Sequence, residues 1–63
     1  GGIMPAVLNA VNEVAVYKFL EGKINFLDIE KMIFEELEHT TNIKNPDLDT
    51  IFEVDREIRK RLG

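Results

Sequence analysis

The sequence predicts an all-α fold, a small three-helix bundle, and three observations point there. Apolar residues recur at helical spacing in three segments. Each segment has its own start and stop residues. The stretches between them are too short to stand as a sheet. The chain of 63 residues and 7.2 kDa leaves room for one small domain. A core of this size supplies roughly 3–5 kcal/mol. There is no Cys to staple it, so the helices must be well made or must find partners.

The first helix is expected over residues 5–20. Pro5 suits the first helical position, where its missing N–H has no intrahelical partner. Gly22 suits the left-handed turn that ends a helix. Met4, Leu8, Val11, Ala15 and Phe19 share one face, and Val7, Ala10 and Val14 form a second row beside it. A helix apolar over most of its circumference is a central helix and needs neighbours on at least two sides.

The second helix is expected over residues 28–39, with Asp28 as its N-cap and Leu27 packing back on the first turn. Ile29, Met32, Ile33 and Leu37 mark its core face, and Glu30, Lys31, Glu35 and Glu38 its wet face. Between the two helices, Lys23–Phe26 reads as a brief extended connector. Residues 41–45 read as a polar loop, and Asn45-Pro46 disfavours the right-handed helical region at Asn45.

The third helix is expected over residues 48–62, capped by Asp47 or Asp49. Leu48, Ile51, Val54, Ile58 and Leu62 form its apolar stripe, with Phe52 at the edge. Its acids come early and Arg56, Arg59, Lys60 and Arg61 come late, as the helix dipole favours. Asp55–Arg59 and Glu57–Arg61 are spaced as i,i+4 ion pairs.

Composition bounds the function. A net charge of -4 argues against a nucleic-acid or anionic-membrane binder. No apolar run approaches the ~20 residues of a membrane span, and no signal-peptide layout opens the chain. The composition reads as a soluble, cytoplasmic module. Ser and Cys, two common nucleophiles, are both missing.

Four groups of residues invite a chemical reading. Glu36 and His39 form a single Glu-x-x-His pair, half of the motif that di-iron bundles use twice. A symmetric dimer would have to supply the other half. The plainer reading is a charged helix end where a positive ring is favoured. Asn45, Asp47 and Asp49 stand at positions 1, 3 and 5 of a calcium loop, but Thr50 and Arg56 occupy the places that need Gly and Glu. Helix capping explains the aspartates. Arg56, Arg59, Lys60 and Arg61 suggest a phosphate grip, yet the same cluster balances a dipole and pairs with acids one turn back. Asn9, Asn12 and Glu13 form one polar patch on an otherwise apolar helix. The patch faces either solvent or the backbone of a packed neighbour. Neither reading makes it catalytic.

The run Gly1-Gly2-Ile3-Met4-Pro5-Ala6-Val7-Leu8-Asn9-Ala10-Val11-Asn12-Glu13-Val14-Ala15-Val16 resembles a signature of the 1-deoxy-D-xylulose 5-phosphate reductoisomerase family. The likeness continues through Phe19-Leu20, Gly22-Lys23-Ile24, Phe26 and Asp28-Ile29, and is weak over residues 40–63. Val11 stands where that family usually has Ala, Leu27 where Ser or Thr is commoner, and Arg56-Glu57-Ile58-Arg59 departs from its usual ending.

The resemblance implies a helical C-terminal domain of an NADPH-dependent enzyme of non-mevalonate isoprenoid biosynthesis that uses Mg2+ or Mn2+. In that family the cofactor fingerprint and metal acids lie in the preceding domains. The resemblance therefore assigns no catalytic, cofactor-binding or metal residue to this chain, and implies that it is inactive alone. It also implies a helix before Gly1-Gly2, making the chain a fragment of a four-helix domain. The partner is then the catalytic domain of the same parent chain, or a second copy that covers the surplus apolar face. The alternative is a stand-alone helical interaction module that presents that face to a partner helix.

Overall fold

The computed structural model describes residues 2–63, so Gly1 lies outside the described residues. It contains three helices: α1, Met4–Leu20; α2, Phe26–His39; and α3, Leu48–Leu62. No strand occurs among the described residues. The connector at Lys23–Phe26 is a turn running straight into α2, not an extended stretch.

α1 is the centre of the molecule. Both α2 and α3 pack on it, while the described residues show no close backbone approach between α2 and α3. The buried core is Ile3, Val7, Ala10, Val11 and Ile58, with Met32, Ile33 and Leu37 of α2 and Ile51, Val54 and Leu62 of α3 packed against it. Part of the apolar excess of α1 thus has its reason: two helices bury two adjoining strips of one helix.

The core axis differs from the expected one. Val7, Ala10, Val11, Val14 and Ala15 are the buried residues of α1, whereas Leu8 is 44% and Phe19 37% exposed. The second row is therefore the centre of the face. With α2 on one side and α3 on the other, burial is deepest along the line between them, and Leu8 falls outside it. Phe19 keeps one edge contact, a T-shaped arrangement with Phe26 at a centroid distance of 5.7 Å.

The helix ends follow local chemistry. α1 closes in a Schellman motif: Lys23 N–H donates to Lys18 O at 2.8 Å and Gly22 N–H to Phe19 O at 3.0 Å. Gly22 has φ +76°, a conformation that a Cβ would penalise. α2 starts two residues before the expected Asp28. Its N-cap is Asn25, and Asp28 sits at the third helical position, completing a capping box. The Asn25 N–H donates to Asp28 Oδ2 at 2.9 Å. An Asp placed three residues inside a helix accepts from the cap backbone as readily as it caps, and Asn25 was the better-placed cap.

α3 is capped by Asp47, whose Oδ1 accepts from Thr50 N–H at 2.7 Å. Thr50, through its side chain first and then its N–H, holds the Asp47 carboxyl below its ordinary value. Asp47→Ala is expected to lower the urea midpoint with an unchanged slope, because the Thr50 N–H loses its cap. Leu48 does not join the apolar stripe; it is 64% exposed. Asn45 has φ +51°. Pro46 bars the ordinary helical region there, and Asn is among the few side chains that tolerate the left-handed one.

Candidate functional site

The four groups of chemistry-bearing residues do not converge on one place. Glu36 and His39 point to different partners. Glu36 is 9% exposed and forms a two-pronged ion pair with Arg61, at 2.8 Å to Nη1 and 2.9 Å to Nη2. His39 Nδ1 lies 2.7 Å from the carbonyl of Glu35. No group of three or more His, Cys, Asp or Glu among the described residues is placed to hold a metal ion. Asp47 is engaged as a helix cap.

The three arginines of the basic cluster are likewise engaged, while Lys60 is exposed. Arg59 reaches Asp55 one turn back at 2.9 Å and Glu13 of α1 at 3.3 Å. Arg61 reaches Glu57 one turn back at 3.0 Å and Glu36 of α2 at 2.8 Å. Arg56 pairs with Glu53. The two inner arginines thus work alike: each leans on an acid of its own helix and bridges to a different neighbouring helix. Both are held more firmly protonated than usual, Arg61 chiefly by Glu36 and Arg59 chiefly by Asp55.

The Arg61–Glu36 pair is the one hydrogen-bonded link between α2 and α3 among the described residues. It spans a groove floored by Val7, Met32, Val54 and Ile58. The hydrogen bond from Arg61 lowers the Glu36 carboxyl below its ordinary value near 4.5, against the opposing pull of burial. Sequence spacing does carry a signal for Glu36. It lies three residues beyond Ile33 and four beyond Met32, on the apolar face of α2.

A depressed carboxyl stabilises the fold above its unfolded pKa and loses that contribution as pH falls through the folded one. The melting temperature is therefore expected to be flat above pH 5 and to fall below about 4.5, as Glu36 and Asp47 take up protons. Circular dichroism melts across that range check it. Arg61→Met is expected to cost about 1–2 kcal/mol. That is less than the loss of a fully buried pair, because Arg61 is half exposed. In the same variant the fall in melting temperature below about pH 4.5 should be shallower, because the Glu36 contribution that acid removes is already gone.

Asn9, Asn12 and Glu13 lie on the outward face of α1 and are exposed. Asn9 Nδ2 donates to Glu13 Oε2 at 3.2 Å. Of the two readings open in the sequence, the solvent-facing one holds in this chain. The face continues through Leu8, Val16, Tyr17 and Leu20, where shallow hollows open.

These features define a class: an all-α domain built on one central helix, with Arg59 and Arg61 of α3 tied to Glu13 of α1 and Glu36 of α2. A family model described as the DXP reductoisomerase C-terminal domain matches residues 1–61. Relatives named 1-deoxy-D-xylulose 5-phosphate reductoisomerase match over nearly the whole chain. One from Caldanaerobacter subterraneus subsp. tengcongensis is 58% identical over 62 residues, covering 98% of this chain and 16% of the relative. One from Macrococcus caseolyticus is 52% identical over 61 residues, covering 97% and 16%. One from Listeria monocytogenes is 52% identical over 59 residues, covering 94% and 16%. No solved structure matches. The chain belongs to the DXP reductoisomerase C-terminal domain family. It spans 16% of the length of these curated relatives.

Proposed function

We propose that this chain is the structural C-terminal domain of an enzyme that converts 1-deoxy-D-xylulose 5-phosphate to 2-C-methyl-D-erythritol 4-phosphate with NADPH. The enzyme acts in non-mevalonate isoprenoid biosynthesis, in the cytoplasm. The observation that carries the reading is the family match over residues 1–61. The residues present do not fit the groups that such an enzyme uses. Glu36 is paired with Arg61 and Asp47 with Thr50, and no group of three or more His, Cys, Asp or Glu among the described residues is placed to hold a divalent metal. Gly2, Gly22 and Gly63 are too scattered to form a phosphate-cradling turn. NADPH and Mg2+ or Mn2+ are therefore assigned to the remainder of the parent enzyme. Within this chain no residue is assigned a catalytic, cofactor-binding or metal role.

The partner of the domain is the catalytic domain of the same parent chain. The outward face of α1, with Leu8, Tyr17 and Leu20 exposed, supports a further helix before Gly1 that would cover it and complete a four-helix domain. In the chain by itself, a second copy covers the same face. Sedimentation equilibrium across a concentration series should show a dimer, and a monomer at the highest concentration counts against that pairing. For the function, the full-length enzyme should oxidise NADPH when given 1-deoxy-D-xylulose 5-phosphate and a divalent metal, and the isolated chain should not. Turnover by the isolated chain, or none by the whole protein, would sink the reading.

A further inference from the structure

We propose that Asn42 is a remote N-cap for α1 and that, with the main chain of Ile43, it latches the point where the longer chain enters this domain. The inference rests on the reading above, in which the rest of the enzyme precedes residue 1. α1 begins without a cap of its own: Ile3 occupies the N-cap position and no side-chain hydrogen bond is made there. The first N–H groups of a helix have no partner inside it. Ile3 is 1% exposed, so its N–H has no water to turn to.

The loop between α2 and α3 satisfies that donor. Ile3 N–H is shared by Asn42 Oδ1 at 3.2 Å and the carbonyl of Ile43 at 3.1 Å. The approach is closed on its other side by Gly2. With φ +100°, Gly2 lies so near the Asn42 amide that a Cβ would stand 2.7 Å from Oδ1. The loop is itself held at both ends. Thr40 Oγ1 donates to Glu36 O at 2.6 Å, and Thr50 N–H donates to Asp47 at 2.7 Å.

The consequence reaches beyond the domain. A glycine at the entrance of a domain is otherwise the most permissive hinge a chain can have. Here the entering backbone is pinned to a loop anchored on α2 and α3, as well as leading into α1. All three helices therefore set the direction from which the chain arrives. Asn42 is a positioning residue for the junction between this domain and the one before it.

The test uses the full-length enzyme. Hydrogen-exchange mass spectrometry on peptides from the start of α1 should show the Ile3 amide exchanging about five- to tenfold faster in Asn42→Ala, the loss of one hydrogen bond. Peptides around Val11 and Ile58 should stay at wild-type protection. Asn42→Asp keeps the acceptor and should retain the slow exchange. In parallel, a spin label at the exposed Lys60, paired with one in the preceding domain, should give a narrow distance distribution in the wild type. The distribution should broaden in Asn42→Ala. Unchanged exchange at Ile3, equal loss in Asn42→Asp, or an unbroadened distance distribution overturns the latch. An inactive wild-type enzyme overturns the functional reading instead, so the two failures are told apart.

Discussion

Ile58→Ala is expected to abolish cooperative folding of the isolated chain. Ile58 is the one fully buried residue of α3 and meets Ile3, Val7 and Val11 across the central helix. Truncating a buried Ile to Ala costs about 2–5 kcal/mol, from lost transfer energy and from the cavity left behind. A domain of this size has roughly 3–5 kcal/mol in total. The loss is thus comparable to the whole stability. The salt bridges of α3 cannot compensate: the exposed Arg59–Glu13 pair contributes about 0–1 kcal/mol, and the Arg61–Glu36 pair about 1–2 kcal/mol at most. A thermal melt at 222 nm should lose its sigmoid shape in this variant. A shift of only a few degrees would mean that α3 contributes little to the core.

Gly2→Ala is the second large effect, and it acts through geometry alone. A non-glycine residue held at φ +100° is strained by about 1–3 kcal/mol. The new methyl would also meet the Asn42 side chain at 2.7 Å, so Asn42 must leave and Ile3 N–H loses that acceptor, worth about 1 kcal/mol more. The two parts separate in a double-mutant cycle. In an Asn42→Ala background the contact is already gone, so Gly2→Ala should cost less by about 1 kcal/mol. Urea denaturation of the four proteins measures this. Strict additivity would show that the backbone strain stands alone and that the contact with Asn42 is relieved at no cost.

Much of this architecture is readable along the chain because its causes are local. The close of α1 follows from Gly22, since no other residue there enters the left-handed turn as readily. Asp47 before Leu48 starts α3 because a carboxylate reaches an N–H three residues on. The pairs Asp55–Arg59 and Glu57–Arg61 form because one helical turn brings them together. The start of α2 was less legible, since Asn25 and Asp28 are both competent caps and only the geometry chooses the box that uses both. The family was legible from the first half of the chain, where the asparagines and glutamate of α1 stand out against an apolar helix. The place of Glu36 was legible less directly. Glu36 and His39 have ligand spacing, and only the position of Arg61 shows where the Glu36 carboxylate is engaged.

The sequence by itself determined three helices, the close of the first at Gly22, the Asp47 cap of the third and the surplus of apolar surface on the first. Those features depend on residues within a turn of one another, where the bond geometry of the chain leaves few choices. Only the tertiary structure decided which strip of α1 is buried, that Glu36 faces Arg61 across a groove, and that Asn42 caps a helix 39 residues before it. These are contacts between distant segments. They depend on the angles at which three helices meet, and those angles follow from how all the side chains fit at once.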